Sequence, residues 1–365
     1  MKIAFDAKRA FANARGLGNY SRDTIRLITT YAPQNTYLLC GQPTPRFHLD
    51  GAQILSPQGM WRAIPWAWRS KGCVRALVRN GVEVYHGLSG EIPFGIHQTH
   101  IKTIVTMHDA IFVRNPELYS ATYRWIFAQK VRYACRYADL IIAISEQTKQ
   151  DLIDYFHADE HKIRVVYQGC HKQFREPISD EMVIQMRQHY QLPEHYLLYV
   201  GAIEQRKNLL NLVKAIEVSK IQIPIVLVGA HSEYAEQVAA LAAQSGVQVQ
   251  FLHGIPFSDF PAIYRGAELF VYPSIFEGFG IPILEAMCAG VPVVTSTGSC
   301  FEETGGTAAL YADPYQPAEI GKQIARVLSD KTLRTQMVQR GHEQAEKFTD
   351  EQVAQHLLSV YSELA

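Results

Sequence analysis

Short apolar runs recur along this chain and alternate with stretches of helical periodicity. Strand patterns fall at 2–6, 37–40, 82–85, 102–107, 140–144 and 163–167, with helical patterns at 20–31, 120–137 and 147–156. Residues 9–19 read as a loop between the first strand and the first helix. Strands that alternate with helices predict a parallel sheet joined by crossover helices. A second series begins near Tyr196, with strands at 196–200, 223–228, 247–252, 269–272 and 291–295. Its helices read at 209–219, 234–245, 257–265 and 317–329. The fold class expected is α/β, with two Rossmann-like, doubly wound units. A chain of 365 residues exceeds one core, which also argues for two domains. The expected boundaries are 1–175 and 186–349, with the polar stretch 171–194 as the connection. Residues 350–364 have helical periodicity and no strand after them.

Several classes are disfavoured. There is no apolar run long enough to span a bilayer. The first residues enter a strand directly, so a secretory leader is not expected. Cys40, Cys73, Cys135, Cys170, Cys288 and Cys300 show no C-x-x-C pairing and read as reduced thiols of a cytoplasmic protein. No D-x-D, no His/Cys cluster of metal spacing, no Walker A and no G-x-S-x-G sequence occurs, so no metal is expected. Residues 16–21, Gly-Leu-Gly-Asn-Tyr-Ser, suggest a phosphate-binding turn. They lack the third glycine and the ribose-binding acid of a dinucleotide site, which disfavours a nicotinamide enzyme.

The net charge of zero hides an asymmetry. Residues 1–170 carry 21 Lys/Arg against 13 Asp/Glu, and the remainder reverses this. An anionic partner of the first half and mutual attraction of the two halves both fit. Residues 59–79 hold Trp61, Trp66 and Trp68 among five basic residues. Such a stretch lies on a membrane surface or packs its tryptophans into its own domain.

The residues that carry chemistry lie at strand ends. In 269–304 a buried strand runs into Phe276-Glu277-Gly278-Phe279-Gly280, then a short helix with Pro282 in its first turn, closed by Gly290. A helix start favours anions. Glu285 has the ordinary role of a first-turn stabiliser open to it, whereas Glu277 is harder to explain structurally. After the strand at 196–200, Arg206 and Lys207 can hold a phosphate, as a bidentate fork and a point charge. His108 and Asp109 end the strand at 102–107; a packing role and an oriented polar pair are both open to them.

Together, Glu277 to Pro282 with Glu285-Ala286, Gly16 to Tyr20, His108-Asp109 and Gly201 to Asn208 resemble the motifs of the retaining family-four glycosyltransferases, also called group 1. The resemblance covers nearly the whole chain. It implies the GT-B fold, two Rossmann-like domains facing across a cleft, with a final helix (about 350–365) packing back on the first domain. It implies that Arg206 and Lys207 neutralise the leaving nucleoside diphosphate. Glu285 would bind ribose and Glu277 the donor sugar. Backbone amides of Phe279, Gly280 and Ile281, beside Gly278, would contact sugar or phosphate. His108 would lie near the sugar's outer hydroxyls, with Gly16 and Gly18 near the diphosphate and Asn19, Tyr20 and Asp109 on the acceptor side. One departure is Glu302-Glu303, where the family often has Pro-Glu.

The activity so implied is retaining transfer of a mannose- or glucose-type hexose without a metal or other cofactor. The donor is a nucleotide-diphosphate sugar, GDP-mannose or a UDP-sugar. The acceptor is a glycan or a lipid diphosphate, as in polysaccharide biosynthesis. No nucleic-acid partner is expected; a cytoplasmic place, peripheral at the inner membrane face, fits the basic first half. A nucleotide-sugar epimerase and a non-catalytic sugar-binding module are the alternatives, and donor turnover without acceptor separates the first from a transferase.

Overall fold

The computed structural model describes residues 1–14 and 16–364; Arg15, in the expected loop 9–19, and Ala365, at the end of the expected final helix (about 350–365), lie outside them. The chain divides into two compact units, Met1–Gln168 with Asp350–Ala365, and Gly169–Thr349. The stretch 171–194, expected as a connection, lies within the second unit and contains the helix Asp180–His189.

In the first unit seven parallel strands take the order β3-β2-β1-β4-β5-β6-β7. They are β1 (Lys2–Asp6), β2 (Thr36–Cys40), β3 (Gln53–Leu55), β4 (Val84–Gly87), β5 (Lys102–Met107), β6 (Leu140–Ala143) and β7 (Ile163–Val165). Successive strand residues face opposite ways. Ala4 and Leu38 therefore join one buried cluster while Ile3, Phe5 and Leu39 join another, and both faces of the sheet are covered. The helix Asp350–Ser362 buries Val353, Leu357, Val360 and Tyr361 in the second of these clusters. Each such side chain contributes about 1.5–3 kcal/mol by leaving water. Arg26 pairs with Asp350 at 2.9 Å at the start of that helix.

In the second unit six parallel strands take the order β10-β9-β8-β11-β12-β13. They are β8 (Leu197–Val200), β9 (Ile225–Val228), β10 (Val249–Leu252), β11 (Leu269–Tyr272), β12 (Val293–Ser296) and β13 (Ala309–Ala312). β8, β9, β11 and β12 are buried along their whole length, as continuous apolar runs require. In each sheet the winding reverses once, between β1 and β4 and between β8 and β11. Ligands of open α/β sheets bind beyond the carboxyl ends of the strands at such a point. Among the described residues no helix is long and apolar enough to cross a membrane.

Candidate active site

In the second unit the loops leaving β8 and β11 are stitched together. The Ile275 N–H donates to Arg206 O at 2.9 Å. Asn208 adopts a left-handed conformation (φ 61°), which asparagine tolerates better than most residues. Its Nδ2 donates to Pro273 O at 3.1 Å and Pro314 O at 2.7 Å. That anchorage sets Arg206 and Lys207, in the single turn Gln205–Lys207, against the β11 end.

Glu277 is the centre of this arrangement. Its Oε1 lies 2.5 Å from Lys207 Nζ and 2.8 Å from an Arg206 terminal nitrogen. It also accepts from Ser274 Oγ at 2.6 Å and Tyr272 OH at 3.0 Å. All four contacts use one carboxylate oxygen, while the side chain keeps 12% of its surface exposed. Burial pushes the carboxyl up, but the charges of Lys207 and Arg206, with hydrogen bonds from Lys207 and Ser274, outweigh it and hold it at about 2. The backbone is fixed as well. Ser299 Oγ donates to Glu277 O at 2.9 Å and accepts the Glu277 N–H at 3.2 Å.

The cations expected to serve phosphate apart from the glutamates are therefore tied to one of them. The reason is burial: Lys207 is 6% exposed, and an ammonium removed from water requires a paired charge. Arg206 is further held by Phe276 O at 2.5 Å and Glu204 at 2.8 Å.

Glu285 is set differently. The helix Ile281–Cys288 starts after Gly280, whose φ of +91° suits glycine. Glu285 falls in the second turn, so it is not the first-turn stabiliser that the sequence allowed. Its Oε2 accepts from Tyr264 OH at 2.8 Å. Burial, against that one hydrogen bond, raises its carboxyl to about 7. Pro282 lacks an N–H, and the Ile281 amide in the first turn has no intrahelical acceptor. Thr304 Oγ1 donates to Phe279 O, holding the loop on the other side. Glu302 Oε1 accepts the Gly298 N–H at 3.0 Å, where the family pattern has proline. A wide cavity of about 750 Å³ in this unit lies elsewhere, among His195, Glu268, Pro292 and Arg334 at the amino ends of the strands.

In the first unit His108 follows β5. Its Nε2 is 2.9 Å from Leu88 O, and the Tyr20 ring meets it edge-on at 4.5 Å. Burial, against the Leu88 carbonyl, lowers the imidazole to about 4, so it is neutral near pH 7. Asp109 accepts the Ile111 N–H at 3.1 Å, a local turn contact. Tyr20 OH is 3.0 Å from Thr106 Oγ1, which is 2.8 Å from His86 Nε2, and His86 Nδ1 is 2.6 Å from Tyr361 OH. Gly16 has φ +50° and precedes the helix Leu17–Tyr31, three residues earlier than the expected start. At Gly18 an added Cβ would meet Asn13 O at 2.1 Å, so only glycine fits. Asn19 Oδ1 accepts from Arg22 at 2.6 Å, and Arg22 also donates to Ala10 O and Asn13 O, holding the loop. The expected loop also includes a short helix, Lys8–Ala12.

Tyr272, Ser274, Ser299, His86, Thr106 and Tyr361 complete these networks and were not singled out in the sequence. Ser274 and Tyr272 stand three and five positions before Glu277, the one local signal they carried.

Two parallel Rossmann-like units, the second with paired cations and a carboxylate at its switch point, are the frame of the GT-B fold. Comparison with known proteins agrees. Residues 185–344 match the Glycosyl transferases group 1 family and residues 36–174 match Glycosyltransferase Family 4, and the chain belongs to these glycosyltransferases. It is 29% identical over 286 residues to the O-antigen chain mannosyltransferase B of Escherichia coli, covering 76% of this chain and 74% of that protein. It is 27% identical over 275 residues to the serotype-specific mannosyltransferase WbdA of Escherichia coli, covering 72% of this chain and 34% of that protein. The match thus spans about a third of WbdA. The sucrose-phosphate synthase structure from Thermosynechococcus elongatus superposes with a TM-score of 0.80 at 21% identity, covering 100% of this chain and 99% of that one. Anabaena HepE in complex with UDP-glucose gives 0.78 at 17%, covering 100% of both. At these identities the structures show the fold.

Proposed function

We propose that this chain transfers a mannose-type hexose from a nucleotide-diphosphate sugar to a growing glycan or a lipid-linked acceptor, with retention and without a metal. The observation that carries the reading is the Arg206–Lys207–Glu277 cluster at the switch point of the second unit. Breaking a sugar–phosphate bond leaves negative charge on the diphosphate, and two fixed cations stabilise that charge as it develops. Glu277 holds both cations in place through Oε1, and Oε2 remains to accept hydroxyls of the donor sugar. Glu285 accepts ribose hydroxyls, and the Ile281 amide meets a phosphate or sugar oxygen. His108, neutral and oriented by Leu88 O and Tyr20, serves a sugar hydroxyl as a hydrogen-bond partner. The same-face departure and attack needs no enzyme nucleophile, since the leaving phosphate takes the acceptor's proton. The mannosyl assignment, and a role in O-antigen-type polysaccharide synthesis, rest on the names of the relatives.

The test is nucleoside-diphosphate release from GDP-mannose, GDP-glucose, UDP-glucose and UDP-galactose, each with and without a mannosylated lipid-linked acceptor. Acceptor-dependent release from GDP-mannose, with the α-anomer in the product, is expected. Inverted product would end the retaining mechanism. Donor conversion without acceptor would favour an epimerase, and binding without turnover a sugar-binding module.

A further inference from the structure

All four tryptophans belong to the first unit; two pack into it and two stand on its surface. Trp68 is buried, and Trp61 packs on Gly72, where an added Cβ would meet its ring at 3.0 Å. Trp66 is 71% exposed and Trp125 67%. Met60 and Ile64 are exposed near the first in sequence, and Tyr123 and Ile126 near the second. Large apolar groups gathered in two short segments are not the scattered single residues of an ordinary surface.

Charge says what covers them. Residues 51–82 contain no Asp or Glu, and neither does the helix Ala121–Tyr137 that carries Trp125. Arg62, Lys71, Arg75 and Arg79 are exposed in the first segment, and Arg132 and Arg136 in the second. Arg69 and Lys130 are already committed, both to Glu91, at 2.9 and 2.8 Å. Those two pairs also join the segments to each other. Between them Phe94, itself 39% exposed, donates its N–H to Ser70 O at 2.7 Å and packs its ring, tilted, against Tyr133 of the helix at 4.6 Å.

Tryptophan and long apolar side chains among cations, with no acid in either segment and Glu91 between them neutralised by Arg69 and Lys130, match a surface of anionic headgroups over acyl chains. We propose that this face of the first unit docks on an anionic lipid bilayer, with Trp66 and Trp125 entering the headgroup region and the arginines and lysines meeting phosphates. The docking stands independently of the transfer reaction. The sequence left the tryptophan stretch between packing and membrane contact; the structure gives Trp61 and Trp68 to packing and leaves Trp66 outside. Trp125 adds a second patch that the sequence did not flag.

The full chain is mixed with vesicles of phosphatidylcholine alone or with phosphatidylglycerol, and bound protein is separated by sedimentation. Binding only to the anionic vesicles, weakened by salt, is expected. Trp66→Ser and Trp125→Ser should each lower vesicle affinity by about tenfold while nucleoside-diphosphate binding stays unchanged. Brominated lipid should quench both tryptophans when each is left as the one exposed indole. No binding to anionic vesicles, or affinity indifferent to both substitutions, overturns the proposal. Quenching of one tryptophan alone overturns the joint surface. So does light scattering that finds a dimer dissociated by Trp66→Ser, because a second copy would then cover the patch.

Discussion

At the carboxyl end of β11, Glu277 gathers an ammonium, a guanidinium and two hydroxyls; at the carboxyl end of β5, His108 sits neutral between a carbonyl and a tyrosine ring. The scaffold is the same in both places, a parallel sheet with one reversal of winding. The difference lies in what burial does. In the second unit it is opposed by paired charge, so the carboxylate stays ionised, held at about 2. Around the two histidines of the first, burial outweighs the pull of Asp6 on His86 and of the Leu88 carbonyl on His108, so His86 falls to about 3 and His108 to about 4 and both stay neutral. A compensated cluster of charges can re-pair with an incoming diphosphate. A neutral network orders hydroxyl groups without attracting ions. On this account the two units divide the work of holding phosphate and presenting sugar or acceptor hydroxyls.

The contrast can be broken most forcefully at Glu277. Glu277→Ala leaves Lys207 buried beside Arg206 with no counter-charge and should cost about 3–5 kcal/mol, read by denaturant unfolding of the second unit. A loss under about 1 kcal/mol would mean that the cluster is more solvated than its burial implies. His108→Ala removes no compensated charge, so its cost should come from packing alone and be smaller.

Acid should separate the units. A histidine whose folded value is depressed contributes stability above its unfolded value near 6.5, and this is lost as pH falls toward the folded value. Between pH 6.5 and 5, His86 and His108 should each withdraw about 2 kcal/mol from the first unit. Glu285 has the opposite sign. Its folded value, about 7, lies above the unfolded one, so its destabilising effect is full above pH 7 and fades toward pH 4.5. Calorimetry at pH 7.5 and 5 should show the first unit's transition falling while the second's holds or rises. Transitions that fall together would remove the electrostatic distinction. The smallest effect belongs to the buried relay: Tyr361→Phe deprives His86 Nδ1 of its partner and should cost about 1 kcal/mol.

Most strand positions were legible because buried parallel strands are largely apolar; β13, a short edge strand with Leu310 and Tyr311 only half-buried, was not read, and the reversal points emerged from the spatial order. The misses have physical causes. β3 is a three-residue edge strand with Gln53 and Ile54 exposed, so no apolar run marked it. The helix Lys331–Ala345 is too polar for a clear stripe; of its residues only Met337, Gly341, Gln344 and Ala345 are buried. In the site, Glu277, Arg206 and Lys207 could be read as separate groups, but their union depends on two loops meeting across 70 positions of sequence. Tyr361 and His86 are 275 positions apart, beyond any local pattern. Glu285 was legible as a carboxylate and not as one raised to about 7, since that depends on the burial it finds beside Tyr264.

The most direct test of the account is turnover of the sugar nucleotide by Lys207→Met, which removes the ammonium, keeps the apolar stem and leaves Glu277 paired with Arg206. Loss of one fixed charge at the leaving diphosphate should raise the barrier by about 2–4 kcal/mol, a fall in turnover of roughly thirtyfold to a thousandfold. A folded Lys207→Met enzyme within threefold of the parent rate would contradict it.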